Sequence, residues 1–219
     1  MAAGNRIGDA EGMSWLKEQA SLLAEFLRGS FRRTLGYCAL GMLLAVLLGA
    51  GIGLLFPQQA AQTLNAFMEQ IAESGVIDEA GEMSVFALLL NNWRAMLMSA
   101  AYGFIPFLFL PVMSLVMNGA LLGMLAAIFV TDGMSLAAYL AGILPHGIFE
   151  IPALIFSIAC GVYLCRNMCR LVVSSPDRVP MLELLEELLR VVVLVIAPLT
   201  AAAAFVECYV TPVVMGFFM

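Results

Sequence analysis

Charged residues are scarce in this sequence. Only 12% of its 219 residues are Asp, Glu, Lys or Arg, against about 25% in an ordinary soluble domain, while 63% are hydrophobic. A water-soluble fold of this length has too little interior to bury so much apolar surface. The composition therefore excludes soluble enzymes and secreted disulfide modules, and it predicts an integral membrane protein surrounded by a lipid bilayer.

Basic residues, histidine and paired cysteines are scarce too. Ten bases against 16 acids leave no basic face for a phosphate backbone, so no nucleic-acid partner is expected. A single histidine excludes zinc-protease signatures, which need two. The five cysteines form no disulfide framework, and we interpret them as packing residues. Among the cysteines, only Cys165 and Cys169 lie one helical turn apart, so metal binding or lipidation stays open for this pair alone. The sequence specifies no cofactor.

Long uncharged runs predict where the chain crosses the membrane, since one crossing needs about 20 apolar residues. They indicate an all-α, polytopic helix bundle over residues 34–219 with about five spans. The predicted spans are 34–56, two tight helices within 95–131 that meet near 113–118, one ending at 165, and one over about 191–212. Residues 1–33 form a predicted cytoplasmic amphipathic helix at the membrane interface. A second amphipathic stretch, 181–189, precedes the last span, and Glu186 and Arg190 are spaced to pair there.

The fourth span has two interpretations. Residues 135–165 are too many for one untilted crossing, and Pro145 disfavours helical geometry at the residue before it. Either this stretch is one tilted helix, or a re-entrant half-helix precedes Pro145 and residues 146–165 make the crossing.

The distribution of bases predicts the orientation. With the N-terminus in the cytoplasm, nine of the ten bases are cytoplasmic and only Arg94 lies outside, in keeping with the positive-inside rule. The C-terminus then lies outside, and residues 57–92 form an outer loop with no base before Arg94. The acids of this loop are Glu69, Glu73, Asp78, Glu79 and Glu82.

Ionisable residues within the spans form the candidate site, because charge inside a bilayer needs a partner, a cavity or a neutral form. His146 and Glu150 lie four residues apart and share one helix face. Glu207 lies near the outer end of the last span, and Arg94 begins the second span on the same side. We therefore predict one polar cluster in the outer half of the bundle. Its members are Asn91, Asn92, Arg94, His146, Glu150 and Glu207.

This residue set has several interpretations. Arg–Glu pairs and buried amides often hold helices together without any chemistry. His and Glu are also the residues that proton relays use, and one His with two Glu resembles an open metal-ligand set. An enzyme using His146 and Glu150 as an acid–base pair ranks last, because no nucleophile is specified and no catalytic residue can be assigned.

Small residues at four-residue spacing predict close helix packing. They recur along the first span and again in the third, and whether the neighbour is this chain or a second copy in a homo-oligomer stays open. The predicted packing positions are Gly41, Gly49, Gly53, Asn118, Gly119, Gly123 and Gly147.

Several of these motifs resemble the stage II sporulation protein M family, over about residues 85–215. The matching elements are Asn91, Asn92 and Arg94, then Asn118, Gly119 and Gly123, then His-Gly-Ile-Phe-Glu at 146–150, then Ala-Phe-Val-Glu at 204–207, and Thr211 with Pro212. The resemblance implies a multi-pass protein of the prokaryotic cytoplasmic membrane. In endospore formers the family's namesake is a non-enzymatic anchor that recruits cell-wall-degrading enzymes.

Two functions follow as expectations. One is a non-enzymatic membrane scaffold for envelope or cell-wall-remodelling proteins, because the acidic outer loop is long enough to form a docking surface. The other is a small transporter or channel, in which the polar cluster holds an ion, a proton or a lipid headgroup.

Overall fold

The computed structural model describes residues 3–76 and 83–218, with side chains from residue 14 onward. This part of the chain is helical and contains no β-strand, as the composition predicts. The helices are α1 (Ala3–Arg28), α2 (Phe31–Leu55), α3 (Pro57–Glu73), α4 (Val85–Ala101), α5 (Leu110–Thr131), α6 (Leu136–Val172), α7 (Met181–Val191), α8 (Ala197–Tyr209) and α9 (Thr211–Met215).

The predicted membrane-helix bundle is confirmed. Among the described residues, four helices are long and apolar enough to cross a bilayer: Phe31–Leu55, Leu110–Thr131, Leu136–Val172 and the continuous helix Met181–Tyr209. The fifth predicted span corresponds to α4, which has 17 residues and is shorter than a full crossing.

The direction of the helices indicates that α4 crosses as well. Contacts between α2 and α5 pair Gly41 with Leu115 and Gly53 with Ala127, so these two helices run parallel. The chain must therefore return across the apolar layer between them, and α4 is the apolar helix that lies between them in the described sequence.

The helix α6 decides between the two interpretations of the fourth span. It runs unbroken for 37 residues, about 55 Å, and contains both Pro145 and Pro152. No half-helix precedes Pro145. A proline in a transmembrane helix removes one backbone hydrogen bond, and neighbouring helices tolerate the resulting kink. The helix exceeds the hydrocarbon thickness of about 30 Å, so it extends beyond the apolar layer.

The second and third spans meet earlier than predicted. The break lies at residues 102–109, not at 113–118, and Phe107 and Phe109 take positive φ values of 67° and 47° there. Pro111 then lies in the first turn of α5, where its missing N–H has no cost. Asn118 does not interrupt α5, because its Nδ2 donates to the Ser114 carbonyl at 2.8 Å.

The last span begins earlier than predicted. The stretch 181–189 is not a separate helix, because α7 continues through a π-helical turn, Val192–Ile196, directly into α8. The predicted ion pair within it is confirmed, with Arg190 Nη2 3.8 Å from Glu186 Oε2. Arg190 also pairs with Glu187 at 3.0 Å.

The predicted outer loop is partly helical. Residues 57–73 form α3, which begins with Pro57 at its first turn and packs against α2 and α5 through the buried Ala60. Glu69 and Glu73 lie exposed on α3. Three other acids of this segment, Asp78, Glu79 and Glu82, fall outside the described residues.

The predicted close packing is confirmed for the pair α2–α5. A Cβ at Gly53 would lie 2.6 Å from the Cβ of Ala127, and one at Gly119 would lie 2.6 Å from the Cβ of Ala45. Added Cβ atoms at Gly49 and Gly123 would collide with the backbone of the facing helix. The neighbour that this spacing predicts is therefore the same chain. We call this contact the glycine seam, and its glycines are Gly41, Gly49, Gly53, Gly119 and Gly123.

Gly147 does not mark such a contact. The atoms nearest to a Cβ there belong to Ile143 and Ile151 of its own helix. A close approach that was not predicted occurs at Gly103 and Gly161, where an added Cβ at Gly103 would collide with the backbone of Gly161.

Candidate functional site

Two helices bring three of the six predicted site residues together. His146 and Glu150 lie one turn apart on α6, and Glu207 lies near the end of α8. One ligand atom from each of the three lies within 4.8 Å of the other two. We call these residues the acceptor cluster. The core of the predicted site is therefore present, although its members come from distant parts of the sequence.

A threonine orients the histidine. His146 is 9% exposed, and its Nδ1 lies 3.2 Å from Thr211 Oγ1 at the start of α9. Thr211 Oγ1 itself donates to the Val206 carbonyl at 3.3 Å. Because the hydroxyl proton is used there, Thr211 accepts from the Nδ1–H of His146. In the neutral imidazole this leaves the lone pair on Nε2, the nitrogen that lies 3.9 Å from Glu150 Oε2.

The facing groups of the acceptor cluster are all electron-pair donors. His146 Nε2 and Glu150 Oε2 are 3.9 Å apart, which is too far for a direct hydrogen bond. When both carboxyl groups are ionised, one imidazole nitrogen and two carboxylate oxygens face one another with their lone pairs inside an apolar part of the bundle. Such an arrangement needs a proton or another cation between its atoms. The side chain of Glu150 is 29% exposed, so the cluster is reachable from the surface of the bundle.

Arg94 does not join this cluster, and that part of the prediction is wrong. Arg94 is exposed and forms no ion pair with a carboxylate in the described chain. The rotation of α4 explains this, because the Met96 carbonyl accepts from Ser157 Oγ and Trp93 Nε1 donates to Thr200 Oγ1 at 2.7 Å. These bonds turn Met96 inward. Two residues correspond to about 200° on a helix, so Arg94 points away.

The two asparagines differ from one another. Asn92 lies one turn before Met96 on the inward face, and its Nδ2 is buried with no hydrogen-bond partner in the described structure. Because α4 runs parallel to α6 with Met96 beside Ser157, Asn92 lies at the level of the turn that follows Glu150. Asn91 is half-buried, and in the described part of the chain no hydrogen bond or ion pair joins it to the acceptor cluster.

Backbone irregularities surround the cluster. Pro145 and Pro152 flank its two α6 members, and each removes a helical hydrogen bond, so the carbonyls of Ala141 and Ile148 lose their usual donor. The helix α8 ends two residues after Glu207. The π-helical turn Val192–Ile196 lies at the other end of α8 from Glu207. Prolines and a helix end beside an ionisable cluster are features that ion-binding membrane proteins also show.

Sequence reasoning missed the hydroxyl and indole groups that position the site. They are Trp93, Ser157, Thr200 and Thr211. Isolated hydroxyl residues in an apolar run produce no periodic pattern. The available signal is physical, because a hydroxyl in a membrane span must find a hydrogen-bond partner and often finds it on another helix.

The cysteine pair near the other end of α6 has a structural role. Cys165 Sγ donates to the Ile105 carbonyl at 3.3 Å, and the Phe107 amide donates to Cys169 Sγ at 3.1 Å. Both thiols therefore support the left-handed turn between α4 and α5. In the described part of the chain, they belong to no group of three potential metal ligands.

Comparison with known proteins agrees with the motifs. Residues 23–212 match the family model described as stage II sporulation protein M, a range that includes the whole acceptor cluster and also α2 and α3. An uncharacterized protein of Methanocaldococcus jannaschii is 29% identical over 126 residues, which cover 58% of this chain and 70% of that protein. No solved structure matches the chain. Because the family model covers most of the chain, this membrane protein belongs to the stage II sporulation protein M family.

Proposed function

We propose that this protein binds a cation at the acceptor cluster and transfers it across the membrane, as a small transporter or channel. One observation carries the proposal: three acceptor atoms from two helices face one another within 4.8 Å. A polar contact that only holds helices together pairs a donor with an acceptor, as Trp93 does with Thr200. Here acceptors meet acceptors, which is unfavourable without a cation and favourable with one.

The position of the cluster in the bundle fits this function. We place the N-terminus in the cytoplasm and the C-terminus outside, in the prokaryotic cytoplasmic membrane, on the distribution of bases. His146 then lies about 15 Å along α6 from its outer end. The side chain of Glu150 is partly exposed on the surface of the bundle there, and this position supports entry of the cation from the outer side. The prolines on α6 and the break after α8 supply the flexible points that release toward the inner side requires.

Liposome flux measurements test this function. The purified protein is reconstituted, and uptake of protons, sodium, potassium and divalent cations is followed with dyes sealed inside the vesicles. We expect flux of at least one of these cations, and its loss in Glu150→Gln and Glu207→Gln. Glu73→Gln, an exposed acid on α3, is the matched control and keeps full flux. Unchanged flux in both cluster variants, or no flux from the parent protein, contradicts the proposal.

A scaffold function is the second candidate, and α3 is the observation that favours it. This helix packs on α2 and α5 and exposes a polar row at helical spacing, Gln62, Asn65, Glu69 and Glu73. A rigid, acidic surface outside the apolar layer suits docking of envelope or cell-wall-remodelling proteins. Neither function requires catalysis by this chain.

Site-specific photo-crosslinking in cells tests the scaffold. A photoreactive residue at Asn65 or Glu69 is expected to give adducts with envelope proteins, whereas one at the lipid-facing Leu47 gives none. Adducts only with a second copy of this chain indicate a homo-oligomer and contradict the scaffold. Equal adducts at all three positions also contradict it.

A further inference from the structure

We infer that the cation held by the acceptor cluster is a divalent transition metal, with Zn²⁺ as the best fit. This inference rests on the proposed function in using the same site, and it adds the chemical class of the ion. Four properties of the cluster support a divalent metal: the ligand types, the charge, the orientation of the histidine and the separations of the ligand atoms.

The ligand types select the class of metal. An imidazole nitrogen favours zinc, copper, iron and nickel, whereas sodium, magnesium and calcium take oxygen ligands. One imidazole with two carboxylates supplies three protein ligands, the number found in open zinc sites, which keep a fourth position for water or a transported group. Glu150 faces partly outward and leaves room for that position.

The charge of the site favours a dication. Two ionised carboxylates contribute a charge of minus two, and Arg94, the one base expected nearby, points away from them. One proton or one monovalent ion leaves the cluster with net negative charge in an apolar surrounding, whereas two protons or one divalent ion make it neutral. A neutral site has the smallest cost inside a bilayer.

The orientation of the histidine matches that of a metal ligand. Metal-binding histidines usually donate their second ring N–H to an oxygen, which fixes the tautomer and the ring angle. Thr211 is that oxygen for His146, at 3.2 Å from Nδ1. In this tautomer the hydroxyl proton of Thr211 goes to the Val206 carbonyl, at 3.3 Å. The lone pair of the ring then lies on Nε2, which is 3.9 Å from Glu150 Oε2 before any ion binds.

The separations suit one ion. The measured His146–Glu150 distance is 3.9 Å, and no pair of ligand atoms exceeds 4.8 Å. A central ion would lie roughly 2.3–2.8 Å from each atom, against about 2.0–2.2 Å in zinc sites. If the side chains of the two glutamates rotate so that their carboxylate oxygens move inward by about half an ångström, this difference closes. The long, partly exposed side chain of Glu150 allows such a movement.

Metal binding by the purified full chain tests the inference. The protein is isolated through a tag without histidine, in lipid nanodiscs, and is titrated with Zn²⁺ against a chromophoric chelator and with Co²⁺ by absorption. We expect one tight equivalent, with Co²⁺ absorption that lacks sulfur-to-metal charge transfer. The affinity should fall more than about a hundredfold in His146→Ala and Glu207→Gln, beyond the 10–100-fold typical of outer-shell changes. Glu73→Gln and the double variant Cys165→Ser, Cys169→Ser should keep it.

Thr211 provides a finer test, because it acts only by orienting the histidine. Thr211→Val should weaken Zn²⁺ binding about tenfold with unchanged stoichiometry, and Thr211→Ser should restore it. X-ray absorption of the unmodified protein with bound Zn²⁺ should show one imidazole among nitrogen and oxygen ligands. This measurement decides the question even when a cluster variant fails to fold.

The outcomes separate the two proposals. Absence of a tight Zn²⁺ or Co²⁺ equivalent, sulfur ligands, or binding that survives both cluster variants overturns the metal site. If proton or monovalent flux still depends on Glu207 in that case, the transport function stands and only the ion is wrong. If metal binds with the expected ligands but no cation crosses the vesicle, transport fails and the metal site stands.

Discussion

Two of the helix contacts in this bundle, α2 with α5 and α6 with α8, use opposite means. Along the glycine seam, α2 and α5 approach until an added Cβ has no space, and the contacting atoms are backbone and small apolar groups. Where α6 meets α8 and the start of α9, the contact contains an imidazole, two carboxylates and one hydroxyl group. Apolar side chains would pack the second contact at lower cost. The seam therefore serves packing, and the difference supports our proposal that the acceptor cluster binds a cation.

The largest effect on stability is expected at the seam. Gly49→Ala places a methyl group against the backbone of Ala120, which cannot move aside. We expect a loss of about 1–3 kcal/mol in the free energy of unfolding, as for overpacked cores. Gly51→Ala on the same helix is the control, because nothing lies within 4 Å of a Cβ there. Unfolding by SDS titration measures both, and equal stability of the two variants would contradict the seam as described.

An intermediate effect is expected where hydroxyl groups join α4 to α6. Ser157→Ala removes the donor to the Met96 carbonyl and leaves that carbonyl without its interhelical partner. Hydrogen bonds between membrane helices average about 0.6 kcal/mol, with a maximum near 1.7 kcal/mol. We expect a loss within this range in the same SDS titration. Ser74, the exposed residue that follows α3, is the control, because its hydroxyl bonds only to the Ile71 carbonyl of the adjoining turn, and Ser74→Ala should cost less than Ser157→Ala.

Variants of the acceptor cluster should change function more than stability. Glu207→Gln removes a charge from an apolar surrounding, so the free energy of unfolding without metal should stay within about 1 kcal/mol of the parent value or rise. Added Zn²⁺ should stabilise the parent protein and not the variant, because a ligand that binds only the folded state raises its stability. Thermal denaturation with and without Zn²⁺ measures this difference. A large metal-independent loss in Glu207→Gln would instead assign the cluster to helix packing.

The smallest effect is expected at Arg94. Its side chain is exposed and lies on the outward face of α4, so Arg94→Gln should leave stability, Zn²⁺ affinity and flux unchanged. Isothermal titration of Zn²⁺ into the variant gives the comparison. A change in affinity of tenfold or more would return Arg94 to the cluster and make the site less negative than we argue.

The sequence predicted much of the site, because each of its members breaks a long apolar run. His146 and Glu150 were joined by helical spacing alone. Glu207 was placed beside them by an argument on depth in the membrane, and the structure agrees. Depth in the membrane also predicts Arg94 beside them, and this is wrong, because depth does not determine the rotation of a helix about its axis. Rotation depends on which side chains of α4 meet α6 and α8, and only the folded bundle contains those contacts.

Helix ends were harder to predict than helices. Pro145 was a candidate break and lies within a continuous helix, while the break near Phe107 and Phe109 has no proline or glycine at its positive-φ positions. Local rules assign a break to the residue with the strongest local preference. Here the turn is supported by Cys165 and Cys169 on α6, about 60 residues away in sequence, so its position has a tertiary cause.

Composition and charge distribution were sufficient to establish a helical membrane protein and to single out its few intramembrane ionisable groups, because the cost of polar groups in lipid acts on every residue separately. Three features are determined only by the tertiary structure. The small-residue faces of α2 and α5 pack on each other, and Arg94 turns outward. Thr211 contacts the ring of His146 beside the two carboxylates. Each depends on the relative rotation and register of helices distant in sequence. Those quantities result from the packing of many side chains together, and no local pattern contains them.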